Sequence, residues 1–128
     1  MAESACNGVM VRPASLLRSP ASRPTTTGTS GCCSRGGELI WRAGPLEKGA
    51  NLCHGTAGNG YAFLALFERT GDELWLERAR AFAMHSVAQV ARARAELGRG
   101  RYSLWTGDPG TALYLADCLA GGGTVPLP

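Results

Sequence analysis

The chain has 128 residues, of which 45% are hydrophobic, 18% charged and 7% aromatic. That length allows one domain with a modest core, burying roughly two-thirds of the unfolded surface. No apolar run approaches the ~18 residues of a membrane span, and a net charge of +3 is too small for wholesale disorder or a nucleic-acid surface.

Residues 1–37 are rich in Ser, Thr, Pro, Gly and Arg, with Pro13, Pro20 and Pro24 interrupting any helix. Neither a helical nor a strand periodicity is present, so the segment reads as a low-complexity, disordered leader. Its Arg- and Ser-rich composition, with Glu3 as its single acid, leaves organelle targeting open. It has neither the amphipathic helix of a transit peptide nor the apolar core of a secretory signal. Otherwise the chain is expected in the cytoplasm.

From Glu38 the texture changes, and residues 38–128 are expected to form the folded part. Glu38 to Arg42 reads as the last turns of a helix, stopped by Gly44-Pro45. After a polar loop comes Tyr61-Ala62-Phe63-Leu64-Ala65-Leu66-Phe67, apolar on every side. A buried strand competes on pattern alone, but the Gly-rich entry and the exit at Thr70-Gly71 favour a buried helix. Thr70-Gly71-Asp72-Glu73 then starts another helix, capped by Thr70 with Glu73 or by Asp72 directly. Its stripe runs through Leu76, Ala79, Ala83, Val87 and Val90, widened by Trp75 and Phe82. A third helix covers Ala112 to Ala120, with Asp108 as N-cap and Pro109 in the first turn, and stops at Gly121. The order is buried helix, half-exposed helix, buried helix.

The two buried helices are linked by an internal repeat. Leu52-Cys53-His54-Gly55-Thr56-Ala57-Gly58 matches Leu104-Trp105-Thr106-Gly107-Asp108-Pro109-Gly110 at an offset of 52, keeping the Leu and both Gly. Helical hairpins of this size cannot cover their apolar faces alone and need neighbours, stacked into a solenoid or closed into a ring.

The strongest chemical feature is Cys53-His54, in a Gly-flanked turn at a helix start. A thiolate and an imidazole are preferred zinc ligands, but zinc needs three or four. A packed Cys beside an exposed His, or a Cys-His nucleophile pair, are the competing readings. Five cysteines fit free thiols or a metal site better than a disulfide framework. Cys118 is expected in the core, and His85 at the surface or in the layer beneath it. Cys6, Cys32 and Cys33 have no evident role. Tyr61, Trp75, Phe82 and Tyr114 read as packing.

Asn51 to Leu64 resembles the Cys-His-Gly block of the lanthionine synthetase C-like proteins. The agreement continues at Thr70-Gly71-Asp72 and from Tyr102 to Ala112, so that residues 38–128 are similar to the C-terminal end of that family. The resemblance implies an all-α fold, a partial α/α toroid made of the last hairpins of a seven-hairpin barrel. It further implies a Zn2+ site with two Cys and one His, of which Cys53 and His54 would be two. The third ligand lies in an upstream Trp-Cys-His-Gly block that this chain lacks. Cys32 or Cys33 could stand in only if the leader folded inward.

The family role implied is zinc-dependent addition of a thiol, from a peptide cysteine or glutathione, to a dehydroamino acid, giving a thioether. The partners expected are therefore a dehydroamino-acid-containing peptide or glutathione, with no nucleic acid. No catalytic acid or base is identifiable, because the upstream His and Asp of the cyclases are missing along with most of the hairpins. The chain thus reads as a C-terminal fragment with an unrelated leader, its activity impaired. The alternative is a non-catalytic helical interaction module without a complete zinc site.

Overall fold

A computed structural model describes residues 30–126, and all secondary structure among them is helical. Four helices follow in order: α1 (Ser30–Ala43), α2 (Thr56–Thr70), α3 (Glu73–Leu97) and α4 (Asp108–Ala120). Helix α2 is the centre of the molecule, touching α1, α3 and α4.

The expected boundary at residue 38 lies inside α1, which starts at Ser30. The glycines that made this stretch look like leader include a packing position. A side chain at Gly37 would run into Leu66 and the Trp75 ring, so the absence of one is what lets α1 close on α2 and α3. The rest of the leader, with Cys6 and the Cys32 side chain, lies outside the described residues. As the sequence suggests, α1 ends at Gly44, in a left-handed conformation (φ 76°).

Helix α2 is buried on most of its circumference, including Tyr61, Phe63, Leu64 and Leu66, which settles helix over strand for this apolar run. Gly71, at φ 71°, terminates it by donating its N–H to the Phe67 carbonyl. Asp72 caps α3 directly, its side chain accepting from the Leu74 N–H at 3.0 Å. Thr70 instead donates to the Leu66 carbonyl and accepts from the Asp72 N–H.

The buried stripe of α3 is Trp75, Leu76, Ala79, Phe82, Ala83 and Ser86. Val87, expected inside, is 43% exposed, and Ser86 takes its place, donating its hydroxyl to the Phe82 carbonyl. Ser86, seven residues after Ala79, lies near the middle of the buried face, and Val87 falls at its edge. Asp108 is a second correction. The N-cap of α4 is Gly107, while Asp108 in the first turn pairs with Arg94 at 2.8 Å, tying the end of α3 to the start of α4.

The core is aromatic. Phe63 lies edge-on to Phe82 (centroids 4.9 Å apart), stacked with Trp75 (6.1 Å) and edge-on to Trp41 (6.2 Å). The Arg78 guanidinium is held between Trp41 and Trp75, 5.1 and 4.8 Å from their centroids, and pairs with Glu38 at 2.6 Å. Such a cation stacked on two indoles fastens α1 to α3 through packing as well as charge.

The α2–α4 contact is built on two tyrosines. Their ring centroids lie 5.1 Å apart; the Tyr61 hydroxyl donates to Asp117 Oδ2 across the contact, while that of Tyr114 reaches on to the Ala79 carbonyl of α3, both at 2.6 Å. Burial raises both phenols above their usual value near 10. For Tyr61 the Asp117 carboxylate adds to this, and for Tyr114 the neighbouring Cys118 does. The folded state therefore holds these protons while the unfolded chain loses them above pH ~10, so stability falls as pH rises past that value. Thermal midpoints are expected to begin falling at pH ~8.5, where the unfolded chain starts to lose the Cys118 thiol proton that burial also retains in the fold, and to fall more steeply past pH ~10. Tyr61→Phe should make the decline shallower. An alkaline decline of the same slope in that variant would contradict the assignment.

Candidate functional site

The segment Gly49 to Gly55 leads into α2 as a tight turn made almost entirely by backbone. The Thr56 N–H reaches back to the Gly49 carbonyl at 2.8 Å, and the Cys53 N–H donates to the Trp105 carbonyl at 2.9 Å. Buried Asn51 accepts from the His54 N–H at 3.1 Å. Thr56 is fully buried and donates to Gln89 Oε1 on α3 at 2.7 Å. Gly55 must lack a side chain, because a Cβ there would stand 2.5 Å from both the Gly49 carbonyl and the Asn51 nitrogen. The turn leaves two adjacent side chains, Cys53 and His54, exposed immediately ahead of a buried helix.

The second copy of the repeat builds the same turn. The Asp108 N–H donates to the Arg101 carbonyl at 2.8 Å, as Thr56 does to Gly49. A Cβ on Gly107 would meet the Arg101 and Ser103 carbonyls at 2.5 Å, the counterparts of Gly49 and Asn51. Gly58 and Gly110 both lie against a backbone carbonyl, that of Leu52 and Leu104 respectively. Trp105 and Thr106 therefore occupy the positions of Cys53 and His54, and the two turns are directly bonded. Only the first turn carries metal-ligand chemistry.

Beside the turns, a groove of about 660 Å³ runs between the 45–51 segment, α3 and the start of α4. Its lining includes Lys48, Asn51, His85, Arg92, Arg101 and Thr106, but neither Cys53 nor His54. His85 is exposed there, as expected.

Among the described residues, no group of three His, Cys, Asp or Glu stands close enough to hold a metal ion. Cys33 is not the missing ligand. Its sulfur accepts from Arg69 Nη1 at 3.4 Å, at the C-terminal end of α2, whereas Cys53 and His54 precede the N-terminal end. The 15 residues of α2 put about 20 Å between these ends. Cys118 is buried in the core, as expected, and burial pushes its thiol up. Among the described residues the turn thus brings together one thiol and one imidazole, donors of the kind zinc takes, without a third.

The sequence did not point to Asn51 or Trp105 as parts of this site. The repeat could have found Trp105, since the 52-residue offset aligns it with Cys53.

The lanthionine synthetase C-like protein family matches residues 28–126. This chain belongs to that family. It is similar to a Danio rerio protein named glutathione S-transferase LANCL1, 45% identical over 83 residues, which cover 65% of this chain and 20% of that protein. It is also similar to LanC-like protein GCL1 of Arabidopsis thaliana, 39% identical over 87 residues, covering 66% of this chain and 20% of that protein. The chain therefore spans about one fifth of the length of these curated relatives. No solved structure gives a significant match. Within this lanthionine synthetase C-like chain, no described helix is long and apolar enough to cross a membrane.

Proposed function

We propose that Cys53 and His54 furnish two protein ligands of a Zn2+ site at which a thiol is activated for addition to a dehydroamino acid. The observation that carries this reading is the backbone-locked turn that holds a thiol and an imidazole side by side at a helix start. Zinc, when bound, stabilises a thiolate at neutral pH while leaving it able to attack. The chain's own contribution is to fix the two donors. Asn51 and the Trp105 carbonyl hold the backbone N–H groups of both residues, so little ordering remains to be done when a metal arrives.

The neighbouring groove carries Lys48, Arg92 and Arg101 together with Glu47 and Glu96. Mixed charge of this kind suits a zwitterionic thiol peptide, and a relative is named as a glutathione S-transferase. Glutathione is accordingly the thiol proposed first, and a peptide cysteine second. The third zinc ligand comes from outside the described residues.

Metal analysis of the purified chain tests the site. Stoichiometric zinc is expected, falling to background in Cys53→Ala, and cobalt substitution should give a thiolate charge-transfer band that the same variant abolishes. Zinc retained in full by Cys53→Ala would remove the proposal. A second reading, a helical interaction module without catalysis, is favoured by the two-donor count. It predicts a chain free of zinc even after metal loading.

A further inference from the structure

One side chain of α3 holds both ends of the segment that carries Cys53 and His54. Gln89 donates from Nε2 to the Leu46 carbonyl at 2.6 Å, and its Oε1 accepts from the Thr56 hydroxyl at 2.7 Å. That hydroxyl has a single hydrogen, and its contact with the Leu46 carbonyl is longer, at 3.2 Å. Between these ends the backbone folds onto the start of α2. The Thr56, Ala57 and Gly58 N–H groups bond the Gly49, Ala50 and Asn51 carbonyls, and Thr111 of α4 adds a bond to the Ala50 carbonyl at 2.9 Å. Position 89 must therefore offer a donor and an acceptor at one tip. An amide has both, whereas a carboxylate lacks the donor and a lysine or arginine lacks the acceptor.

The second turn is fastened to the same helix by different chemistry. At the offset of 52, Thr56 corresponds to Asp108, and each is the first residue of its helix. Asp108 is tied to α3 through Arg94, in a solvent-exposed ion pair. Thr56 is tied to α3 by a neutral bond from a fully buried hydroxyl. The difference follows what each turn presents. A carboxylate at position 56 would disfavour a thiolate close by, whereas the Trp105-Thr106 turn has no thiol to disturb.

We propose that Gln89 is a positioning residue of the donor turn: by fastening Leu46 and Thr56 to α3 it fixes the backbone on which Cys53 and His54 stand. On the zinc reading, which this role deepens, Gln89 touches neither metal nor thiol and acts through the turn alone. Removing it frees both ends of the segment at once, so the two donors must be ordered anew when a metal binds.

NMR order parameters of the backbone of the full 128-residue chain, taken without metal, test this. The Cys53 and His54 amides are expected near the rigid value of about 0.85 in the wild type and below about 0.6 in Gln89→Ala. Phe63 and Leu64, farther along α2, should keep wild-type values. Thr56→Val has the shape of threonine without the donor and should loosen the turn in the same way, while Thr56→Ser, which keeps the hydroxyl, should leave it rigid. Cobalt affinity should follow the same order, at least about tenfold weaker in Gln89→Ala and Thr56→Val, as for two lost hydrogen bonds. Phe63→Leu lowers stability without touching the turn, and should change neither the order parameters of Cys53 and His54 nor the cobalt affinity. Donor amides that stay rigid in Gln89→Ala, a serine variant as loose as the valine one, or a Phe63→Leu chain that loosens the turn equally would each overturn the proposal. The order parameters decide it with or without metal, so a wild-type chain that takes up no cobalt strikes the zinc reading alone. Cobalt bound equally well by the wild type and Gln89→Ala strikes the role of Gln89 alone.

Discussion

Replacing Phe63 with alanine is expected to cost about 3–5 kcal/mol of stability, the usual range for removing a fully buried aromatic ring. Phe63 is wholly inaccessible and touches rings of two neighbouring helices: Trp41 of α1, and Trp75 and Phe82 of α3. Neighbours held by two other helices cannot all collapse into the space it leaves, so a cavity term adds to the lost transfer energy. A domain of this size has roughly 5–15 kcal/mol in total, and the variant therefore loses a large part of it. Phe63→Leu keeps most of the volume but forfeits the ring contacts, and should cost about 1–2 kcal/mol. Urea denaturation followed by circular dichroism gives both values from the midpoint shift. A loss below about 1 kcal/mol for the alanine variant would mean that the aromatic cluster is not the packed core described above.

The second large effect is expected at Gly58, where an added methyl group meets the Leu52 carbonyl. Backbone cannot swing aside as the tip of a long side chain can, so Gly58→Ala must displace the Leu52 to Gly55 turn. The cost is expected to be about 1–3 kcal/mol, as for other overpacked sites, against a gain of up to ~1 kcal/mol from replacing a helical glycine. On the zinc reading, the same variant should bind metal at least about tenfold more weakly, because its donors are no longer held in place. Gly36→Ala is the control. That glycine is also helical, an added methyl group there would have nothing within 4 Å, and its replacement should be neutral or stabilising. Equal outcomes for the two variants, by denaturation and by metal titration, would show that the close approach at Gly58 is not what sets the turn.

Much of this is legible from residues alone because it depends on local chemistry. The apolar run around Phe63 and the stop at Gly71 define a buried helix. Asp72 announces the next one by its ability to accept from a backbone N–H. The repeat around the two Gly-flanked turns, and the Cys53-His54 pair in the first of them, need only the order of residues. Local signals mislead at two positions. Val87 fits an apolar stripe on paper, yet the position that is buried in the fold is Ser86. Asp108 has the chemistry of an N-cap, but the Arg94 side chain holds it in the first turn while Gly107 caps.

By itself, the sequence determined an all-helical chain of lanthionine synthetase C-like character, its helix order after residue 38, and a thiol beside an imidazole at a helix start. Tertiary structure decided what lies far apart in the chain but close in space. It placed Gly37 in a packing contact that extends the fold into the expected leader, and bonded the Cys53 turn to its repeat at Trp105. It also set Cys33 at the wrong end of α2 to join Cys53 and His54. Propensity and spacing act over a few residues, whereas packing and ligand geometry are fixed by distances that only the folded chain possesses.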